Sequence, residues 1–136
     1  MARIMAVDYG KKRTGLAVSD VLQITSNGLP TVATAGLMDF FKSYLAKEKV
    51  ETVVFGLPTQ ADNSPSEIEP DIEGFIKRFR KAFPEIKVAR EDERYTSKIA
   101  MNTMIAAGVK KKNRQNKALV DQVSATIILQ SYLQRK

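Results

Sequence analysis

Two short apolar runs at the start of the chain restrict its topology most strongly. ARIMAVD ends in an acid, and LAVSD follows it after the turn sequence YGKKRTG. About half a dozen residues separate the two runs, which is too few for a helical crossover, so the two strands must pair antiparallel. A third strand is expected over residues 23–32, with interruptions around Asn27-Gly28 and at Pro30. The sequence therefore predicts a three-stranded antiparallel meander at the start of the fold.

The rest of the chain alternates between helical and extended patterns. Apolar residues recur at helical spacing in several segments, and the strand sequences ETVVFG and IKVAR follow the first two of them. The helices are expected over residues 37–45, 68–79, 96–108 and 118–133. Right-handed crossovers make both later strands parallel to the first strand. The pattern thus predicts one α/β domain over residues 1–136, with a mixed sheet and helices on its faces.

The composition excludes the softer kinds of metal site. The 136-residue chain contains no cysteine and no histidine, so thiolate ligands, imidazole ligands and disulfide bonds are all excluded. Any metal ion must be bound by oxygen atoms, which favours Mg²⁺ or Mn²⁺ over zinc. No segment has the length and apolar content of a membrane span or of a signal peptide, so a cytoplasmic protein without membrane contact is expected.

Positive charge is concentrated in the C-terminal part of the chain. Residues 1–97 carry 14 basic and 14 acidic residues, whereas residues 98–136 carry 8 basic residues and one acid, so the whole net charge of +7 lies there. The segment KKKNRQNK supplies five of these cations, namely Lys110, Lys111, Lys112, Arg114 and Lys117. A solvated loop is one interpretation of such a run, and a binding surface for phosphate backbones is the other.

Acidic residues follow the strands that are expected to be parallel. Asp8 ends the first strand, and the triplet Glu91-Asp92-Glu93 follows IKVAR. The carboxyl ends of parallel strands meet at one edge of a sheet, where the ligands of open α/β sheets bind. Strand alternation does not decide which acid of the triplet faces that site, because Asp92 falls on one face while Glu91 and Glu93 fall on the other.

A further acid occupies an unusual position in the last predicted helix. On a helical wheel, Asp121 falls on one line with the apolar-face residues Ala125, Ile128 and Tyr132. An unpaired carboxylate on that face costs stability and so requires a cation, although an acid in the first turn also favours the helix dipole. Asp8, the acidic triplet and Asp121 together favour a two-metal phosphodiester site, in which no side chain need act as a base.

Four motifs, in the order in which they occur, resemble the YqgF/RuvX family over nearly the full chain. They are AVDYG with RTGLAVSD, then VVFGLPTQADNSPSE, DERYTS and VDQVSATIILQSYL. The resemblance implies a ribonuclease H-like fold with a five-stranded mixed sheet, and a cytoplasmic bacterial nuclease that uses Mg²⁺ or Mn²⁺. Family members are named Holliday junction resolvases or pre-16S rRNA nucleases. The resemblance assigns Asp8, Glu93 and Asp121 as the catalytic, metal-binding acids, with Asp92 as the reserve metal ligand.

Several other residues are candidates for contact with nucleic acid. The candidates are Lys11, Lys12 and Arg13 at the expected hairpin tip, Thr59 in the loop after ETVVFG, and Arg94 after the acidic triplet. Each has a plainer explanation as a solvated tip, a connector or, for Arg94, an ion pair with a neighbouring acid. Gly15 is interpreted as a tight-turn residue, whereas Gly10 is expected to leave room for phosphate or metal beside Asp8.

Two other functions are also compatible with the sequence. A non-catalytic module would bind nucleic acid through the segment KKKNRQNK, and an actin-like or sugar-kinase-like phosphate-binding domain would share the Asp-x-Gly hairpin. The expected partner is either structured RNA or branched DNA, because nothing in the sequence reads a 2′-hydroxyl or a base edge. RNA trimming is compatible with a monomer, whereas a junction resolvase requires a symmetric homodimer.

Overall fold

The computed structural model describes residues 2–57, 67–92 and 117–135, and within the last range it describes the side chains of residues 122–134. The strands are β1 (Arg3–Asp8), β2 (Arg13–Ser19), β3 (Ser26–Ala33), β4 (Val50–Leu57) and β5 (Lys87–Asp92). The helices are α1 (Leu37–Lys47), α2 (Glu69–Ala82) and α3 (Lys117–Arg135), and a short 3-10 turn at Thr34–Gly36 precedes α1.

The five strands form one mixed sheet in the order β3-β2-β1-β4-β5. β1 pairs antiparallel with β2, and β2 pairs antiparallel with β3, as the short connections require. β4 lies parallel to β1 on its other side, and β5 lies parallel to β4. The predicted mixed sheet, with an antiparallel meander and two strands parallel to the first, is confirmed.

Helices cover both faces of this sheet. Successive side chains of a strand point to opposite faces, so Met5 and Val7 of β1 pack with α1 and α2, whereas Ile4 and Ala6 pack with α3. All four side chains are buried, which explains why the central strand is apolar along its whole length instead of alternating with polar residues. The prediction of helices on both faces is confirmed for the described elements.

The two faces are packed differently. Aromatic rings fill the α1/α2 side, where the centroid of the Phe79 ring lies 4.9 Å from that of Phe41 and 5.8 Å from that of Phe55. Small side chains dominate the α3 side, where Ala6, Ala17 and Ala125 are fully buried. Small residues let a helix approach the sheet closely, so α3 packs directly against the strands.

β3 differs from its prediction in its start. It begins at Ser26 because residues 20–25 form a turn in which Asp20 Oδ1 accepts hydrogen bonds from the backbone N–H groups of Ile24 (2.8 Å) and Thr25 (2.9 Å). These bonds also hold the pKa of Asp20 below its usual range. Gln23 lies in the same turn with a positive φ of 60°, so it does not belong to the strand.

The predicted interruption of β3 at Pro30 is confirmed as an irregularity of pairing, because the register with β2 shifts between Leu29 and Val32, whereas Asn27 and Gly28 keep regular partners in β2. Pro30 lacks an N–H group, and an edge strand tolerates that loss. Gly28 leaves space for α3, because a Cβ at this position would lie 2.7 Å from Cγ of Gln122. Gln122 Nε2 also donates a hydrogen bond to the carbonyl of Leu29 at 2.9 Å, so the polar side of α3 packs against the edge strand.

The predicted helices are confirmed wherever the structure describes them. α1 and α2 cover the expected segments, and α3 extends one residue before and two residues beyond its expected bounds of 118–133. The helix expected over residues 96–108 lies outside the described residues. No described helix is long and apolar enough to cross a membrane.

The aromatic cluster makes a prediction about stability. Replacing Phe79 by alanine should lower the free energy of unfolding by about 3–5 kcal/mol, because the fully buried ring leaves a cavity between α1, α2 and β4. Urea denaturation measures this change. The exposed Lys81→Ala variant on the same helix is the control and should change the free energy by less than about 0.5 kcal/mol. Equal effects of the two substitutions would contradict the packing described here.

Candidate active site

One row of residues crosses four strands at the edge where the parallel strands β1, β4 and β5 have their carboxyl ends. Asp8 of β1 pairs with Gly15 of β2, and Gly56 of β4 pairs with Glu91 of β5. Asp8 lies level with Gly56, because the preceding residues of these two parallel strands are partners. The row therefore reads Gly15, Asp8, Gly56, Glu91, and we call it the glycine–acid row.

The glycine–acid row faces α3. Two positions away from the row in each strand, Ala17, Ala6, Val54 and Ala89 belong to the cluster that packs with this helix. Side chains two positions apart share a face, so Asp8 and Glu91 lie on the α3 face as well. Neither neighbouring strand presents a side chain beside Asp8, because both of its partners in the row are glycines. Two strand spacings, about 10 Å, separate the Cα atoms of Asp8 and Glu91.

Glu91 is held in place by α3. Its side chain is only 8% exposed, and Ser131 Oγ donates a hydrogen bond to Glu91 Oε2 at 2.5 Å. A buried carboxylate requires such donors, and this bond fixes the end of β5 to the helix. Asp92 is exposed, and strand alternation places it on the opposite face with Arg90. The alternation expected from the sequence is thus confirmed for the first two acids of the triplet, while the role of Asp92 as a metal ligand stays a prediction.

The other acids of the predicted site are described only in part. Glu93 lies outside the described residues. Asp121 lies within α3, one turn before Ala125, but its side chain is not among those described. Ala125, Ile128 and Tyr132 are buried against the sheet, which confirms the apolar line on which the sequence places Asp121. Among the residues that the structure describes, no three acidic side chains lie close enough to hold a metal ion, so the meeting of these acids with Asp8 stays a prediction.

Basic residues lie beside Asp8 on the β1–β2 hairpin. Lys11 and Lys12 are exposed in the connection between the strands, and Arg13 is the first residue of β2. Thr34 secures this hairpin, because its hydroxyl donates to the carbonyl of Gly10 at 2.6 Å and its N–H donates to the carbonyl of Lys12 at 3.0 Å. The Thr34 hydroxyl therefore accepts the bond that it shares with the Thr14 hydroxyl at 2.8 Å. The cations are thus carried by a fixed turn at the same sheet edge as Asp8.

The structure shows a turn role for Gly10 and corrects the interpretation of Gly15, while the expected room for phosphate or metal at Gly10 stays a prediction. A Cβ on Gly10 would lie 2.4 Å from the carbonyl oxygen of Arg13, so the tight turn itself requires glycine there. Gly15 lies inside β2, opposite Asp8, and not in a turn. The tight-turn interpretation of Gly15 is therefore wrong. The residues that neighbour Asp8 in the adjacent strands are Gly15 and Gly56.

The remaining predicted contacts with nucleic acid stay predictions. Thr59, Arg94, Lys110, Lys111, Lys112 and Arg114 lie outside the described residues. Lys117 is the first residue of α3, and its side chain is not among those described.

Comparison with known proteins gives a context for this sheet edge. The family model described as "RuvX: Holliday junction resolvase" matches residues 2–135. Relatives named "Putative pre-16S rRNA nuclease" occur in Bacteroides thetaiotaomicron, at 57% identity, and in Flavobacterium johnsoniae, at 54% identity; each match spans 100% of this chain and 99% of the relative. The relative of the same name in Porphyromonas gingivalis is 50% identical and spans 98% of this chain and 96% of its own. The similarity thus extends over essentially the whole length of both partners.

Gly10 provides a test of the hairpin geometry. The Gly10→Ala variant should lose about 1–3 kcal/mol of unfolding free energy, because the backbone of Arg13 must move to admit the new methyl group. Gly74→Ala is the matched control, since no atom lies within 4 Å of a Cβ at that position inside α2, and alanine, the better helix former, should not lower the stability there. Urea denaturation compares the two variants. A Gly10→Ala protein as stable as the control would show that the hairpin does not have this conformation.

The contact between β5 and α3 is tested by a double-mutant cycle. Glu91→Gln and Ser131→Ala should show a coupling energy of about 1 kcal/mol, because one removes the acceptor's charge and the other removes the donor of the same partly buried hydrogen bond. The control cycle pairs Glu91→Gln with Ser43→Ala, an exposed serine on α1, and should show no coupling. Additive effects of Glu91→Gln and Ser131→Ala would contradict the contact.

Proposed function

The chain belongs to the RuvX family of Holliday junction resolvases, and we propose that it is a divalent-metal-dependent endonuclease that hydrolyses phosphodiester bonds in structured nucleic acid. The observation that carries the proposal is the glycine–acid row beside a basic hairpin at the carboxyl edge of the sheet. Lys11 and Lys12 would attract a phosphate backbone to this edge, whereas Asp8 would repel it. A divalent cation held by the carboxylate would resolve that conflict.

The donors available at this edge fit a hard cation. The chain offers only oxygen ligands there, since it contains no cysteine and no histidine, and Mg²⁺ and Mn²⁺ prefer oxygen. Asp8 lies between two glycines, so no side chain of a neighbouring strand competes for the space beside its carboxylate. We assign Asp8, Glu93 and Asp121 as the residues that hold the cations, with Asp92 in reserve. When bound, such ions activate water and neutralise the charge that develops on the leaving oxygen.

The chain's own cations position the substrate in this proposal. Lys11, Lys12 and Arg13 contact the phosphates next to the scissile bond, and the segment 110–117 contacts the backbone further away. Such contacts carry no sequence information, so recognition depends on the shape and phosphate density of the nucleic acid.

Precursor 16S rRNA is the substrate that we favour. The relatives that match over the full chain at 50–57% identity carry that substrate in their name. A Holliday junction is the second candidate, because the description of the family names it. The two substrates differ in what they demand of the protein, since a junction needs two active sites in a symmetric dimer, while RNA trimming proceeds on a monomer. We place the protein in the cytoplasm, where bacterial rRNA matures.

Asp8 gives the direct test of this function. The Asp8→Asn variant should cleave a labelled precursor 16S rRNA fragment at least about 10²-fold more slowly in Mg²⁺, because metal ions contribute several kcal/mol to such reactions. Its affinity for the RNA should stay near that of the unchanged protein, measured by filter binding in the presence of Ca²⁺. Asp39→Asn, at an exposed position on α1, is the matched control and should cleave normally.

The same assay separates the alternatives. Cleavage by Asp8→Asn at the normal rate would refute the assignment of the site. RNA binding that persists in EDTA, with no cleavage in any divalent metal, would instead support a non-catalytic binding module. A synthetic four-way junction cleaved in preference to the RNA would make junction resolution the function.

A further inference from the structure

Arg90 makes an unusually complete set of hydrogen bonds at the end of β5. Its guanidinium donates from Nη1 to Glu69 Oε2 at 3.0 Å and from Nη2 to Glu69 Oε1 at 2.7 Å. Nε also donates to the carbonyl of Phe55 at 3.2 Å, and Nη2 donates to the carbonyl of Gly56 at 3.0 Å. One side chain of β5 therefore binds the first turn of α2 and the carboxyl end of β4 together.

This arrangement is more specific than a surface ion pair. The Arg90 side chain is 25% exposed and that of Glu69 is 13% exposed, so the pair is shielded from water on most sides. The two parallel N–H···O bonds use the planar fork of the guanidinium, a geometry that a lysine ammonium does not reproduce. Replacing arginine by lysine at this position thus retains the charge but loses the fixed geometry.

The bond to Gly56 matters because Gly56 belongs to the glycine–acid row. A glycine has no side chain through which packing could fix its position, and its backbone has more conformational freedom than that of any other residue. β4 ends at Leu57 and α2 begins at Glu69, so Arg90 binds the chain on both sides of the connection between these two elements. The position of Gly56 relative to Asp8 therefore depends on a contact made from the opposite face of the sheet.

Consecutive residues of β5 thus anchor its end on both faces. Arg90 binds α2 and β4 on one face, and Glu91 binds Ser131 of α3 on the other. The acidic triplet of the proposed site begins at Glu91. Arg90 and Glu91 therefore hold in place β4 and β5, the two strands that lie on this side of Asp8 in the row.

We propose that Arg90 is a positioning residue of the nuclease site, which holds Gly56 and the end of β5 in the geometry that cleavage requires. This inference rests on the proposed nuclease function and extends it to a residue that touches neither substrate nor metal. A displacement of about 1 Å at reacting groups can cost about 10²-fold in rate, so a small relaxation of this contact has a measurable effect.

The test compares two arginines that differ in location. Arg3→Lys is the control for Arg90→Lys, because the Arg3 side chain is similarly shielded, at 28% exposure. Arg3 also donates hydrogen bonds to a carboxylate and to a backbone carbonyl, namely Glu48 Oε2 at 3.3 Å and the carbonyl of Ser19 at 3.0 Å. Arg3 lies at the amino end of β1, at the other end of the strand from Asp8. Both variants should lower the Tm by a similar few degrees. A difference in cleavage rate between them therefore reflects the location of the arginine and not the loss of stability.

The cleavage rate is measured in single-turnover reactions with the precursor 16S rRNA fragment, at a temperature well below both Tm values. The Kd is measured by filter binding. Arg90→Lys should lower the cleavage rate about tenfold or more and leave the Kd within about twofold, whereas Arg3→Lys should change neither. Glu69→Gln should lower the rate in the same direction. The double variant Arg90→Lys with Glu69→Gln should be no slower than Arg90→Lys alone, because both substitutions break one contact.

Each outcome bears on the inference. A folded Arg90→Lys protein that cleaves at the normal rate, or an Arg3→Lys protein that is slowed equally, overturns the positioning role while the nuclease function stands. If Arg90→Lys fails to fold, Glu69→Gln decides in the same assay, and a normal rate for that variant overturns the inference. If the unchanged protein cleaves neither RNA nor a four-way junction in Mg²⁺ or Mn²⁺, the nuclease function fails and this inference fails with it.

Discussion

The parallel pairing of β1, β4 and β5 is the constraint on which the rest of the structure depends. Parallel strands deliver their carboxyl ends to one edge, and here those ends carry Asp8, Gly56 and Glu91 side by side. The pairing is stable because both faces of β1 and β4 are covered, by the aromatic cluster of α1 and α2 on one side and by α3 on the other. An acid at that edge is therefore supported by central strands that are buried on both faces.

Small residues organise the α3 face and the candidate site together. Alanines beneath α3 bring the helix close to the sheet, and two residues away on the same face Gly15 and Gly56 place no side chain of β2 or β4 beside Asp8. A larger residue at either glycine would place a side chain beside the carboxylate, where the proposed cation must bind.

Much of this fold follows from the sequence, because strand and helix periodicities and connection lengths are local signals. The hairpin length dictated the antiparallel meander, and the period of the apolar residues located α1, α2 and α3. The failures have tertiary causes. Asn27-Gly28 is interpreted from the sequence as a strand interruption, but both residues pair regularly with β2, and the side chain of Gln122 packs against Gly28. Three contacts could not be predicted, because they depend on strand register, which no local pattern reports. They join Gly15 with Asp8, Ser131 with Glu91, and Arg90 with Glu69.

The central claim is that a divalent cation binds in the space beside Asp8. Titration of ¹⁵N-labelled protein with Mn²⁺ tests it without any nucleic acid, because the paramagnetic ion broadens the amide signals of nearby residues. We expect the signals of Gly15 and Gly56 to disappear at low Mn²⁺. The signals of Ile24 and Thr25, at the other end of the sheet, should persist. The Asp8→Asn substitution should abolish this selective broadening. Broadening that spares Gly15 and Gly56, or that is unchanged in the Asp8→Asn variant, would contradict it.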